Sequence, residues 1–352
     1  MTTPPEPAAG AKLPKSVLKW VAVGLVLTTS VVVIISVTSG VSFADLTKLG
    51  YLPFGLAAAV SAARLLVQIL RFRVLVVGLA RDPRPELSGL SLSRPASEFV
   101  SLSTPATSMG VFIRTAWLTG KGVDGGTALW IGYFEVLMEI YVGGSLALVA
   151  AAYAFLRGAV AIGSTILIVT LVLVAGYTAI FIIPALRNIK VPHRLFSVAA
   201  FLVGGPKATA LYLRAVIGSL NFSLSAHAIL TRKNLPLVVK AVGLTFVEDI
   251  LAGTALWIVL SSSGLKLDPF STTFVAYGVV AIAQIPVTIG GAGITELTMQ
   301  AYLTSVFHFS SWPAVVLWRI ATYQVLLVVT GVVFGVYVRK ATKQAPKAKQ
   351  KT

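Results

Sequence analysis

The stretch Pro286-Val287-Thr288-Ile289-Gly290-Gly291 decides the reading of this chain, because an earlier stretch, Pro105-Ala106-Thr107-Ser108-Met109-Gly110, spells the same Pro-x-Thr-x-x-Gly. Each lies inside a long apolar tract. Each is followed by an ionisable residue, Arg114 after the first and Glu296 after the second. Proline and glycine interrupt helices, and in hydrocarbon an interrupted backbone is tolerated only where protein or a water-filled cavity satisfies its polar groups. A matched pair of interrupted segments, one in each half of a membrane chain, is the sequence sign of a transport site.

The composition around these stretches agrees. The chain is 56% hydrophobic and 12% charged, about half the roughly 25% charge of a soluble domain. Its mean hydropathy is +0.88. These values describe an integral membrane protein. Cysteine is absent, which excludes disulfides, iron–sulfur clusters and thiolate metal sites. His193, His227 and His308 lie far apart and no HExxH spacing occurs, so neither a metal centre nor a cofactor is expected. The net charge of +17 flanks apolar spans. It fits both the cytoplasmic gathering of Lys and Arg and attraction to anionic headgroups. No basic soluble domain is offered to nucleic acid.

About 20 apolar residues cross a bilayer as a helix. By that rule the fold is all-α and polytopic. A polar lead, 1–16, precedes one transmembrane domain, 17–338, and a basic, low-complexity tail, 339–352, is expected to be disordered. Lys12, Lys15 and Lys19 precede the first apolar run and no small-residue cleavage site follows it, which reads as an uncleaved first span. The first half, 17–186, holds spans at 17–37, 51–77, 128–155 and 159–186, with the first broken segment over about 95–118. Arg81, Arg84 and Arg94 mark a cytoplasmic end between the second span and that segment. The middle region, 187–239, is punctuated by basic residues. It reads as cytoplasmic interfacial helices near 195–203 and 208–229, with a full span as the alternative for the second. The second half, 240–338, holds a span at 240–260, the second broken segment at about 271–306 and a last span at 312–338.

Six crossings leave both basic termini in the cytoplasm, at the cell membrane. In that topology the first broken segment dips in from the cytoplasmic face and the second from the opposite face. Leu129-Trp130 downstream of the first parallels Leu317-Trp318 downstream of the second. Together these make an inverted repeat whose substrate site lies where the broken helices meet. Pairs of full, kinked spans would satisfy the same parity. The six tryptophans, Trp20, Trp117, Trp130, Trp257, Trp312 and Trp318, mostly fall near span ends and fit an interfacial belt.

Of the twelve acidic residues, six (Glu98, Glu135, Glu139, Glu248, Asp249 and Glu296) fall within or beside apolar tracts. Each ionised side chain at the bilayer centre costs about 2.5–3.5 kcal/mol on insertion scales, so partners or function must offset them. Arg64, Arg71, Arg73, Arg114 and Arg319 are the candidate partners. Glu135 and Glu139 share one helix face and suit either proton or cation handling, or ion pairing to neighbouring helices. Glu248 and Asp249 diverge by about 100°, one toward the bundle and one toward a cytoplasmic vestibule. Arg114, at the start of a half-helix, offers fixed charge beside free N–H groups and suits a lipid phosphate; snorkelling to the interface is the alternative. Glu296, in the equivalent place, suits pairing with Arg114 or Arg319, or carrying a proton.

The second segment, continued through Ala292-Gly293-Ile294-Thr295-Glu296, resembles the Pro-x-x-x-Gly-Gly-x-Gly-x-x-Glu signature of the lysylphosphatidylglycerol synthase transmembrane-region family, also called flippase-like. Arg319 matches an arginine of that family's last span, and Gly110 with Arg114 is similar to its Gly-x-x-x-Arg stretch. Glu135 and Glu139 fall where the family carries Glu-Arg-x-x-Asp, with Val136 in place of the arginine. Arg64, Arg73 or Arg319 is expected to stand in for it. The likeness runs from about 50 to 338. It implies a bundle that moves or houses anionic or isoprenoid lipids between leaflets. Only a short basic tail follows Val338, so lipid aminoacylation by a soluble transferase domain, as in some relatives, is not expected of this chain alone.

The function expected is therefore a flippase for an anionic phospholipid or a polyprenyl-phosphate-type lipid. Arg114, Arg319, Thr107, Gly110, Thr288, Gly290 and Gly291 would contact the substrate. Glu98, Glu135, Glu139, Glu248, Asp249 and Glu296 would form a charge network or couple protons. Membrane lipids are the expected partners, with a glycosyltransferase, a lipid-synthesis enzyme or a second copy of the chain as further ones. The rival functions are an intramembrane lipid-modifying enzyme, a transferase or phosphatase, and a subunit recruiting a glycosyltransferase to the membrane. The sequence carries neither a metal-ligand cluster nor a nucleophile–base motif for the enzyme.

Overall fold

The computed structural model describes residues 15–80, 85–104, 107–186, 205–229, 231–285 and 287–344, which are helical with no strand among them. Pro105, Ala106 and Pro286 lie outside the described residues, as does the interfacial helix expected at 195–203. The first helices are α1 (Lys15–Thr38), α2 (Phe43–Leu49), α3 (Tyr51–Leu79), α4 (Leu87–Leu102), α5 (Val111–Gly120), α6 (Gly125–Leu156) and α7 (Val160–Leu186). They are followed by α8 (Gly205–Ile229), α9 (Leu235–Ser262), α10 (Pro269–Ala283), α11 (Ile294–Phe307), α12 (Trp312–Arg319) and α13 (Val325–Gln344). A 3₁₀ turn, Thr107–Gly110, precedes α5; a second, Ile289–Gly291, precedes α11; and a π-helical turn, Ile320–Gln324, joins α12 to α13.

Length and composition qualify three helices as membrane-crossing: Gly125–Leu156, Val160–Phe181 and Trp312–Ala341. A fourth is added if α1 and α2, bent by 93°, count as one. The sequence reading expects six. The difference falls on α3 and α9, which are 29 and 28 residues long, roughly 42–44 Å at 1.5 Å per residue. Both carry charge within their length, Arg64, Arg71 and Arg73 in one and Lys240, Glu248 and Asp249 in the other.

α3 and α9 pair antiparallel at the centre. A Cβ on Gly78 would meet Leu237 Cδ1 at 2.6 Å, while Arg71 donates to Thr245 at 3.1 Å and Gln68 to Glu248 at 2.6 Å. Beside this pair α9 joins α6, α10, α11 and α12 to bury a core of Ala147, Ala150, Ala154, Leu256, Val279, Tyr302 and Leu317. The run of alanines lets the backbones approach closely, as membrane packing requires. A second core joins Phe72 and Leu75 of α3 to Trp130 and Phe134 of α6 and Phe222 and Ala226 of α8.

Four sequence expectations shift. Helix α8 begins at Gly205 and packs Phe222, Ala226 and Ile229 against α6 and α7, with Leu213, Ile217, Leu220 and Leu224 exposed on its other side. Helix α13 continues to Gln344, past the expected end at 338. Arg94 is no loop residue: α4 starts at Leu87, carries Pro95 inside it and buries Arg94. Trp130 and Trp318 are core residues rather than interfacial ones; Trp130 is fully buried and stacks on Phe181 at 5.6 Å.

Candidate functional site

The two interruptions meet. Gly290 N–H donates to the Thr104 carbonyl at 3.4 Å, and the Tyr323 hydroxyl donates to the Leu102 carbonyl at 2.6 Å. Gly290 has φ +57°, and a Cβ there would collide with the Tyr323 hydroxyl and stand 2.7 Å from the Leu102 carbonyl oxygen. Glycine is thus required both for the left-handed turn and for the approach of the first interruption. Gly110, with ordinary helical backbone angles, is required for close approach within the first half: Ser97 donates to its carbonyl at 2.9 Å, and a Cβ would strike the Ser97 carbonyl oxygen. Helix α1 covers the junction, since a Cβ on Gly24 would collide with the Ser103 carbonyl.

In the second interruption Glu296 takes the third position of α11 and accepts from Gly293 N–H at 2.8 Å, closing the helix start. Its other oxygen accepts from Arg319 Nε at 2.9 Å. Arg319 Nη2 donates to the Gly290 carbonyl at 2.6 Å, and its guanidinium lies 3.8 Å from the centre of the Tyr323 ring, close enough for a cation–π contact. Of the two partners expected for Glu296, the structure selects Arg319. The π turn after Arg319 presents Arg319 and Tyr323 to one side.

A cavity of about 180 Å³ opens between the interruptions. Arg64 of α3 and Glu98 of α4 line it from the first half; Tyr277, Gln284, Gly290, Thr295, Arg319 and Tyr323 line it from the second. That volume far exceeds the roughly 10–15 Å³ a single water needs. A recess of about 20 Å³ on the far side of Tyr277 and Gln284 reaches Glu139 and Thr170.

Beside the cavity four guanidiniums (Arg64, Arg71, Arg94, Arg114) interlock with four carboxylates (Glu98, Glu135, Glu139, Glu248). Glu135 is fully buried. It accepts from Arg71 Nη2 at 3.0 Å and Arg94 Nε at 2.9 Å, and it pairs with Arg114. Arg71 pairs with Glu248 at 2.7 Å and with Glu139; Arg94 pairs with Glu98 at 2.8 Å. Equal numbers of opposite charges, held by donors from α3, α4 and α5 on acceptors from α4, α6 and α9, meet the condition under which buried ions are tolerated. The replacements expected for the arginine lost at Val136 were Arg64, Arg73 or Arg319; the partners of Glu135 are instead Arg71, Arg94 and Arg114. Val136 itself packs with Val111 and Ile140.

Other site residues also move. Arg114 is buried against Glu135 and does not line the cavity. Glu248 and Asp249 are both buried, so neither faces a vestibule. Glu248 turns to α3 and Asp249 to α10, where it accepts from the Tyr277 hydroxyl and leaves Oδ2 without a hydrogen-bond partner. Thr288 precedes the second 3₁₀ turn with its hydroxyl buried and unpartnered. Gly291 is buried with φ +68°. Thr107 opens the first 3₁₀ turn. Arg64 makes one long contact, 3.4 Å to Glu248, and its buried Nε has no acceptor. Sequence reasoning missed Arg94, Gln68, Thr245 and Tyr277; the spacing of four between Arg94 and Glu98 was the available sign for the first. Among the described residues no three metal-ligating side chains are grouped to hold an ion.

The lysylphosphatidylglycerol synthase transmembrane-region family model matches residues 20–330. The chain belongs to this family and is a membrane protein of that kind. Comparison with curated proteins and with solved structures returned no match.

Proposed function

We propose that the chain is a lipid flippase that passes a phosphate-bearing headgroup through the cavity between the two interruptions while the acyl or prenyl tails stay in the bilayer. The observation that carries this reading is the cavity itself, lined by Arg64 and Glu98 from one half and by Gly290 and Arg319 from the other. Arg64 is the under-used guanidinium, with one long contact and a free Nε, so it is the group we assign to bidentate phosphate recognition. Arg319 adds positive charge from the opposite wall, held in place by Glu296. Arg114, committed to Glu135, takes a positioning role.

The architecture that suits this function has six crossings, α1, α3, α6, α7, α9 and α12–α13. The pairs α4–α5 and α10–α11 dip in from opposite faces. The order helix, helix, interruption, helix, helix occurs from α3 to α6 and again from α9 to α12, and the antiparallel pairing of α3 with α9 supports an inverted relation. Both termini lie in the cytoplasm in this arrangement. Asp249, with one oxygen unpartnered beside Tyr277, is the carboxylate we assign to proton coupling.

The test is purified protein in liposomes containing fluorescent phosphatidylglycerol, with leaflet exchange followed by quenching of outer-leaflet dye. Wild type should accelerate exchange. Arg64→Gln should abolish the acceleration while lowering the melting temperature less than Glu135→Gln does, because it removes a single long contact. Wild-type exchange at the protein-free rate would overturn the proposal. A new lipid product on thin-layer chromatography would move the assignment to an enzyme.

A further inference from the structure

We infer that a groove on the outer side of the α3–α9 seam, separate from the central cavity, holds one anionic phospholipid of the surrounding leaflet. The groove measures about 540 Å³. Its walls are Val74 and Val77 of α3 and Leu237 and Leu244 of α9, with Arg73 and Lys240 among them. The spacing makes each wall one helix face: Arg73 and Val77 are four apart, and Leu237, Lys240 and Leu244 are three and four apart. Gly78 lets α9 approach, with Leu237 Cδ1 only 2.6 Å from where a Cβ would sit. That contact sets the two walls against each other.

The two cations stand apart from the other basic residues of the seam. Arg64 and Arg71, on the same helix, are paired with carboxylates. Arg73 and Lys240 are exposed, and among the described residues neither lies in an ion pair. Both sit at one depth. Arg73 is six residues from the end of α3 and Lys240 five from the start of α9, about 8–9 Å along each axis. At that depth long cationic side chains reach headgroups while their stems lie on apolar surface. Arg232 and Lys233, exposed just before α9, extend the positive charge at the same end.

This pairing of chemistries selects the occupant. Apolar walls with nothing to hydrogen-bond suit acyl chains and give a soluble phosphate no hold. Two uncompensated cations favour a headgroup of net negative charge over a zwitterionic one. An occupant here would bridge α3 and α9, the same helices that carry Arg64 and Glu248 beside the cavity.

Native mass spectrometry of the full chain with equimolar phosphatidylglycerol and phosphatidylcholine of matched acyl chains tests the assignment. Wild type should retain phosphatidylglycerol preferentially. Each basic residue near the surface is worth about fivefold in affinity, so Arg73→Gln with Lys240→Gln should weaken retention about thirty-fold. Val77→Trp fills the groove but leaves both cations, and should weaken retention as well. Arg157→Gln, which removes an exposed cation elsewhere, should leave retention unchanged. sn-Glycerol 3-phosphate, which lacks tails, should not compete at equal concentration. Equal retention of both lipids by wild type, or wild-type retention by either groove variant, overturns the inference. So does a loss in Arg157→Gln equal to that in the double variant, or competition by the soluble phosphate.

Discussion

Glu135→Gln is the perturbation that examines the buried charge network most directly. The substitution keeps the side chain's shape and removes its charge, leaving four guanidiniums facing three carboxylates. It also turns an NH₂ donor toward guanidiniums that now have one acceptor fewer. At an effective dielectric of 20, unit charges about 4 Å apart attract by about 4 kcal/mol, so three contacts would total roughly 12 kcal/mol before desolvation. Glu135 is wholly buried, and its desolvation offsets several kcal/mol of that sum. Removing one partner from a buried pair costs about 3–5 kcal/mol. At about 2–4 °C per kcal/mol, the melting temperature should fall by roughly 10 °C. Arg114 has Glu135 as its ion-pair partner, so Arg114→Gln should destabilise too. The double variant restores balance at three against three. It should be less destabilised than the sum of the singles, by about 1–3 kcal/mol. Tryptophan fluorescence melts in detergent would measure all four proteins. A single variant melting within about 2 °C of wild type, or a strictly additive double, would refute the network as a coupled unit.

Gly290→Ala should lower the melting temperature by several degrees and abolish lipid exchange, because its Cβ drives into Tyr323 and Leu102. Gly335→Ala, in α13 with open space around it, should be neutral or slightly stabilising. Tyr277→Phe leaves Asp249 without its hydrogen-bond donor and should cost about 1–3 kcal/mol in a denaturation series; a change below about 0.5 kcal/mol would show that the contact carries nothing. Asp268 caps α10, accepting from Phe270 and Ser271 N–H, both at 3.0 Å. Hydrogen bonding, first from the Ser271 hydroxyl, holds its carboxyl below the usual range. Asp268→Ala should cost about 1 kcal/mol near neutrality. Since the folded pKa is depressed, that advantage is full above the unfolded pKa of about 3.9 and fades as pH falls through the folded one. Melts of the two proteins should therefore converge in acid.

Much of this arrangement was legible before coordinates. Proline and glycine inside apolar tracts marked the interruptions because little else explains helix breakers in hydrocarbon, and the two do meet at Thr104 and Gly290. Carboxylates in apolar tracts announced a network for the same energetic reason. What stayed hidden was partner choice. Arg71, Arg73 and Arg94 are alike in sequence, yet two point into the network and one outward, and only the packing of α3 on α4, α6 and α9 sorts them. Proximity in sequence to Arg81 and Arg84 disguised Arg94 as a loop charge. Trp130 sits near a span end and was read as interfacial, although helix α8 covers it. Hydropathy scores each charge of α3 and α9 alone, whereas Arg64 and Arg71 of one pair with Glu248 of the other.

The pairing of α3 with α9 also sets an order of events during synthesis. Glu248 follows Arg71 by 177 residues, which at about 5–20 residues per second is roughly ten to thirty seconds of translation. Throughout that interval Arg64 lacks its counter-ion, while Glu135 and Glu139, made earlier, can pair with Arg71. A nascent chain truncated ahead of α9 should leave α3 loosely lodged near the headgroups, accessible to water-borne alkylating probes at an engineered cysteine, until the ribosome delivers the missing carboxylate.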